Sequence, residues 1–547
     1  MDQDGFITTA DAAESLRVAL GAVPSPAPAS EAFLAADASG DGTLDGGDAV
    51  VILAEAAATE AAVPVVSGFR LSDNPRNSLS VYVDFTTDLP ARPRVRVESI
   101  DGAWTVPTTG TLTDAPGTTH RVGVVGLREG VTYTIKASAL GPGGAASAEV
   151  SATRKPVLVP RILIPSLLPL TVALSEPDHM APGVTVFGLL SPAYLFSGYI
   201  FALDAQGRVV WYFTESGVDP FPGSIQEVTR APSGNLVYMS ADVSEYRITE
   251  IDAFGNRVRR WRSGDLGVDS LHHSVDWLPN GNLVTLSTEL RTVGGYPGGQ
   301  TFDLVADVVT EITPQGDVAD QIPLLDVLDP YRVRPGFNDA DWILVYGPTA
   351  KDWSHGNAVV YDATDDTFIV SLRHQDLIAK IDRQTHALVW VLGEDDPSTT
   401  GDDAWPFLTL VGEGRPPNHQ HSPRLRPGGR LLVYDNGNSV GFTRVVEYAI
   451  DAQAMTVTQE WEWADGEYSP LLFAPFVGGV QALSNGNFLV AYGGLGTSIF
   501  SDEDPTWTLL HEFDPNGQKV WEVQVRGNVG YQGYRAERMS SLYRPEP

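Results

Sequence analysis

Six of the ten histidines in this chain sit in three short motifs. His272 and His273 open the run His-His-Ser-Val-Asp-Trp-Leu-Pro-Asn-Gly-Asn. His355 lies in Trp353-Ser-His355-Gly-Asn357, which runs on to Arg373-His374-Gln375. His419 and His421 lie in Asn418-His419-Gln420-His421-Ser-Pro. Aligned on the turn that follows, His273 stands six residues before Pro279, and His421 six before Pro427. Gln226 and Gly478 hold the same place before Pro232 and Ser484, and His355 falls close to it in a variant copy. Equivalent positions of a closed repeat fold face one axis, so these histidines are expected to share a pocket. Three imidazoles are able to hold zinc. Arg373, at the end of the strand after His355, is an unfavourable neighbour for a metal. Three histidines and a permanently charged guanidinium suit an oxyanion better.

The neighbours of these residues are weaker candidates. His272, adjacent to His273 on an extended segment, is expected to point the other way. His419 is two residues from His421 and is a candidate to share its face. Asn357, two residues after His355, is a candidate donor into the channel. His374 is expected to turn outward. Trp353 and Trp277 are candidates for aromatic walls or for packing.

The elements that position these residues repeat. One signature is Asp, a turn and a strand with Trp, as in Asp204 to Trp211, Asp252 to Trp261 and Asp514 to Trp521. A second is a strand, a Pro-X-Gly turn and another strand, as at Pro232, Pro279 and Pro427. Units of roughly 60 residues with several strands each predict a β-propeller of about six blades over 156–547. An immunoglobulin-like array would have units nearer ~100 residues.

Two smaller regions precede it. Residues 62–155 alternate apolar and polar residues in short runs such as Ser80-Val-Tyr-Val-Asp-Phe. Leu127-Arg-Glu-Gly-Val-Thr-Tyr133 resembles the tyrosine corner of a fibronectin type III sandwich, with Trp104 expected to fill the core. Residues 1–60 carry two acidic loops. In the second, Asp37, Ser39, Asp41, Asp45 and Asp48 place oxygen ligands at positions 1, 3, 5, 9 and 12, with Gly42 at position 6. The first, Asp2, Asp4 and Asp11, is the same pattern without its opening residue. A helical stretch follows each loop, and Asp at the last position resembles a dockerin repeat. Calcium binding is expected here, and a cohesin-like or cell-surface partner would fit such a module. The fold class is therefore all-β, preceded by a small helical calcium-loop module.

Composition narrows the partners. A net charge of −33 makes nucleic acid and anionic membrane surfaces poor partners. With no cysteine, thiolate metal sites and cysteine nucleophiles are excluded. The most apolar stretch, from Val157 to Leu174, contains Pro160, Pro165 and Pro169, so it is expected to be a linker and not a membrane span. Calcium-loop modules suit an extracellular, cell-surface or periplasmic setting. The chain opens inside a motif, so a removed leader or a truncated start is expected.

The propeller region resembles the bacterial arylsulfate sulfotransferase family. The resemblance rests on His-His with Pro-Asn-Gly-Asn, on Trp353-Ser-His355-Gly-Asn357-Ala-Val-Val-Tyr-Asp, on Arg373-His-Gln before Leu-Ile-Ala-Lys-Ile-Asp382, and on Gln420-His421-Ser-Pro before Leu-Leu-Val-Tyr-Asp-Asn-Gly. It implies a six-bladed propeller that moves a sulfuryl group between a phenolic sulfate donor and a phenolic acceptor, without a nucleotide donor or catalytic cofactor. It implies His421 as the nucleophile that becomes sulfated. His355, Arg373 and one of His272 and His273 would hold the sulfuryl oxygens. The first motif reads His-His-Ser where the family has His-His-Asp, which leaves the choice within that pair open. The competing expectation is a non-catalytic propeller that binds an anion, a metal or a surface partner.

Overall fold

The computed structural model describes residues 51–52 and 62–544, apart from 108–109, 112–115, 142–143, 157–167, 192–197, 215–223, 242–244, 335–336, 338–341, 396–404, 499–500 and 502. The expected calcium ligands Asp2, Asp4, Asp11, Asp37, Ser39, Asp41, Asp45 and Asp48 lie outside the described residues. The chain divides into two compact units, Met1–Val159 with Tyr543–Pro547, and Pro160–Leu542. Among the described residues no helix is long and apolar enough to cross a membrane.

The first unit is built on one long strand, Val81–Ser99. Its first half pairs with Val66–Asp73 and Gly117–Val124, and its second half with Gly102–Thr105 and Tyr133–Leu140. Val81, Val83, Phe85, Val95 and Val97 alternate inward to form the core. The Tyr133 hydroxyl accepts the Arg128 N–H at 2.9 Å, which ties the turn before the strand back to it. Trp104 is half-buried and sets its edge against Tyr133, 5.9 Å between ring centres.

Among the described residues the second unit contains six sheets of four or five strands, antiparallel except where the short strands Lys351–Asp352 and Thr409–Leu410 pair in parallel. Each sheet begins with a strand that touches the first strands of both neighbouring sheets, and this series closes on itself. These six strands are β1 (Ser224–Arg230), β2 (His272–Trp277), β3 (Gly356–Asp362), β4 (His421–Arg426), β5 (Gly479–Ala482) and β6 (Gln532–Met539). Strand β6 comes from the end of the unit but pairs with Val184–Leu190 from its beginning, so the two ends share one sheet. The outer strand Leu170–Ser175 likewise pairs with Lys519–Val525 of the sheet before it. The apolar run into Leu174 thus ends in an edge strand.

The Asp signature has a mechanical reason. Asp204 Oδ1 accepts the N–H groups of Gln206 and Arg208, both at 2.9 Å. Asp252 Oδ1 does the same for Phe254 and Asn256, and Asp514 Oδ1 for Asn516 and Gln518. Each carboxylate closes a tight turn on its own backbone. Two indoles lock neighbouring sheets together, Trp211 of the Asp204 signature and Trp463. Trp211 Nε1 donates to Ala253 O at 2.7 Å, in the Asp252 turn of the next sheet. Trp463 Nε1 likewise reaches Gly517 O at 3.3 Å. Gly517 has φ +85°, and a Cβ there would lie 2.9 Å from the Trp463 ring. Only glycine fits both the turn and the stacked indole.

Two substitutions test this inter-sheet lock. Trp211→Ala removes a fully buried indole and is expected to cost about 3–5 kcal/mol. Gly517→Ala changes one methyl on the surface turn and is expected to cost about 1–2 kcal/mol from the left-handed backbone alone. Denaturant midpoints measure both. A neutral Gly517→Ala would contradict the close approach.

Candidate functional site

Most of the first strands carry an irregularity near the end where the histidines lie. The register shifts between Ile225 and Val228 in β1, His272 and Val275 in β2, Gly356 and Ala358 in β3, His421 and Arg424 in β4, and Gly533 and Ala536 in β6. Such bulges re-aim side chains out of the regular alternation. The backbone is strained at the same level. His273 (φ 65°), His355 (φ 45°), His419 (φ 52°), Ser422 (φ 52°) and Val477 (φ 52°) all occupy the left-handed region. Non-glycine residues held there cluster at functional sites.

A cavity of about 520 Å³ opens at this level. His272, His273, His355, Arg373 and His421 all line it. The expectation that His272 points away from His273 is corrected here. The positive φ of His273 breaks the extended alternation, and the two Nδ1 atoms lie 2.7 Å apart. His273 sets its ring 5.4 Å from that of His355 and 5.6 Å from that of Tyr534. Its backbone N–H donates to Gln226 Oε1 at 3.0 Å. His421 Nδ1 lies 2.7 Å from Asn436 Oδ1 and 3.2 Å from His419 O.

Two buried carboxylates brace the histidines. Asp352 Oδ2 is 2.6 Å from His355 Nδ1. Asp307 Oδ1 is 3.2 Å from His272 Nε2, in contact but outside hydrogen-bond geometry. Asp307 Oδ2 also accepts the Ser354 hydroxyl and the Gly356 N–H. Burial pushes the Asp307 carboxyl up to about 6 against these bonds. Burial also pushes Asp352 up, but the charge and hydrogen bond of His355 and the nearby His374 outweigh it and hold it below the usual value. Among the imidazoles, burial and then His355 push His272 down to about 3. Burial, followed by the Arg373 charge, holds His421 well below the ordinary imidazole value.

Other expected residues stand behind the cavity. Asn357 is fully buried and its Nδ2 donates to Gln420 O at 2.7 Å. His419 turns away to Asp376, whose Oδ1 is 2.7 Å from its Nδ1. His374 does not turn outward. It is buried, stacks on His355 at 4.3 Å and places Nδ1 2.8 Å from Asp352 O. Trp353 is core, its Nε1 donating to Arg332 O, and Trp277 packs on Trp261. The aromatic lining comes instead from Tyr246, Trp342, Phe476 and Tyr534. None of these four stands in a histidine motif. Arg535 is a further cation, its guanidinium 4.8 Å over the Tyr534 ring and paired with Glu227 at 3.1 Å.

The arrangement offers donors and positive charge to an anion, with aromatic and aliphatic surface directly beside them. It also contains a possible metal set: Asp352, His355 and His374 each bring a ligating atom within 4.8 Å of the others. Arg373 Nη1 lies 2.7 Å from His374 Nε2, so a guanidinium occupies the far side of that imidazole.

Comparison with known proteins bears on the same region. The chain is 25% identical over 395 residues to the arylsulfate sulfotransferase AssT of Escherichia coli, covering 60% of this chain and 62% of that protein. It is 25% identical over 391 residues to the enzyme of that name from Lelliottia amnigena, with the same coverage. The match therefore spans about three-fifths of the length of these relatives. A solved structure of a Lactobacillus plantarum protein covers 66% of this chain with 11% identity and a TM-score of 0.37, too low to bear on the fold. The arylsulfotransferase (ASST) family model matches residues 178–535, which hold every residue of the cavity, and the chain belongs to that family.

Proposed function

We propose that this protein is an aryl sulfotransferase that carries the sulfuryl group on His421 between a phenolic sulfate donor and a phenolic acceptor. The observation that carries this reading is the convergence of His273, His355, Arg373 and His421 on one cavity with an aromatic wall. The six sheets with their closed ring of first strands are read as a six-bladed propeller, and the first unit as a fibronectin type III-like module. Calcium in the two N-terminal loops, an exported location and a cohesin-like partner belong to the same proposal.

The sulfuryl oxygens would lie against Arg373, His355 and His273, with His272 behind. Sulfuryl transfer resembles phosphoryl transfer, with a loose in-line transition state whose charge sits on the nonbridging oxygens. Catalysis is then mostly positioning and preorganised charge. The Nε2 lone pair of neutral His421 attacks sulfur. The N–S bond forms as the S–O bond to the aryl group breaks, and the phenolate leaves with the electron pair. An acceptor phenol then attacks the same sulfur, the N–S bond breaks, and the phenol proton is released. Donor and acceptor use one pocket in turn, which gives ping-pong kinetics. The aromatic wall of Tyr246, Trp342 and Phe476 supports an aryl group on both.

A second reading has its own observation in the Asp352, His355 and His374 cluster. It makes the protein a binding module that holds a divalent cation. Metal content of the purified protein and chelator sensitivity of any transfer separate the two.

Mixing the protein with 4-nitrophenyl sulfate and phenol is expected to release nitrophenolate continuously, whereas without the acceptor release stops after about one equivalent per protein. His421→Ala is expected to lower this rate by at least about 10³-fold, the scale on which removing a nucleophile acts, with the circular dichroism unchanged. Near-normal turnover would remove His421 from that role. Arg373→Lys keeps the charge but loses the planar fork, and is expected to lower kcat about 10²-fold. The pH profile provides a further test. Because burial and Arg373 depress the His421 pKa, the nucleophile stays neutral as pH falls through about 6.5. The acid limb of kcat/KM is therefore expected below that value, and a limb centred above it would contradict the assignment.

A further inference from the structure

The nucleophile of this proposal needs more than a neutral imidazole. A neutral histidine carries its proton on one nitrogen, and only the other has a lone pair. An imidazole facing the cavity through a protonated Nε2 would be inert toward sulfur. We infer that Asn436 is the positioning residue that holds His421 as the Nδ1–H tautomer and so directs the Nε2 lone pair into the cavity. This rests on the reading of His421 as nucleophile.

The geometry fixes the direction of each bond. Asn436 is fully buried. Its Nδ2 lies 2.7 Å from Ala474 O and 3.0 Å from Val477 O. Both partners are backbone carbonyls and can only accept, so the amide nitrogen must face them. The amide oxygen then faces His421 Nδ1 at 2.7 Å, and an oxygen there can only accept. The second neighbour of Nδ1, His419 O at 3.2 Å, is also an acceptor only. With two acceptors and no donor, Nδ1 must carry the proton. A histidine tautomer set by the partner of its other nitrogen is a general device of catalytic imidazoles.

The chain holds Asn436 rigidly. Gly437 follows at φ +69°, where a Cβ would strike the Phe442 carbonyl, so the strand must turn there through glycine. Asp435, on the other side, accepts the Asn418 N–H at 2.8 Å and pairs with Arg444 and Arg415, both at 2.8 Å. The same amide also ties down the stretch from Ala474 to Val477. That stretch presents Phe476 and Val477 to the cavity and receives Arg373 Nη2 on Pro475 O at 3.2 Å. One side chain thus joins the nucleophile, the aromatic wall and the cation.

Histidine-selective 15N NMR of the wild-type protein tests the tautomer without relying on turnover. The His421 signals are assigned by their loss in His421→Gln. Nδ1 is expected as the protonated nitrogen and Nε2 as the bare one, and the reverse would overturn the inference. Kinetics with 4-nitrophenyl sulfate test the role. Asn436→Leu removes the acceptor at similar size, and is expected to lower kcat about 10²- to 10⁴-fold with KM changed far less. Asn436→Asp restores an acceptor with charge, and is expected to move the acid limb of kcat/KM to higher pH. A wild type that transfers sulfuryl groups, with Asn436→Leu within twofold of it, would overturn the role while leaving the sulfotransferase reading in place. A wild type without transfer would sink that reading, and the NMR result would still decide the tautomer.

Discussion

Two carboxylates buried beneath a cluster of imidazoles are the constraint on which the site depends. Asp307 and Asp352 lie almost wholly out of water, where an unpaired charge is very costly. Each is retained because it is surrounded by donors: Ser354, Gly356 and the nearby His272 for one, His355 and His374 for the other. The exchange is mutual. Asp352 fixes the ring of His355, and the donors around each carboxylate make its burial tolerable. Removing either partner would leave a buried charge or a loose imidazole, so these contacts hold the site together as a unit. Arg373 and His421 stand at the edge of this network, where one supplies fixed positive charge and the other a neutral ring.

The closed ring of strands makes that arrangement possible. The first strands come from chain segments as distant as Ser224–Arg230 and Gln532–Met539. All but β5 slip in register near the same level, where the histidine-bearing strands turn side chains into the cavity. The Asp turns and indole contacts at the outer edge hold neighbouring sheets at a fixed spacing. Placement at the axis therefore depends on repeated contacts far from it.

Much of the site was legible in the sequence because the repeat supplied a ruler. Counting back from the Pro-X-Gly turn placed His273, His421 and Gln226 at one level, and all three line the cavity. The ruler failed where the backbone is irregular. Strict alternation sent His272 away from its neighbour, whereas the left-handed conformation of His273 lets both rings line the cavity. His374 was expected outside, but a helical turn at Arg373–Gln375 carries it inward onto His355. Residues outside the motifs could not be found by spacing at all. Asp307 reaches the site from the third strand of its sheet. Trp342 and Phe476 come from connections, and Tyr534 and Arg535 from a strand whose partner lies at the other end of the unit. Asn436 was visible only as part of an Asp-Asn-Gly turn, which reads as ordinary turn chemistry until its amide is seen between two carbonyls and an imidazole.

The central claim is that the sulfuryl group rests on His421 between donor and acceptor. The direct measurement is mass spectrometry of the protein after mixing with an aryl sulfate and no acceptor, digested under conditions that preserve the N–S bond. The account predicts one added sulfuryl group on the peptide containing His421, discharged on adding a phenol. Transfer activity with no adduct at His421, or with the adduct on another residue, would contradict it.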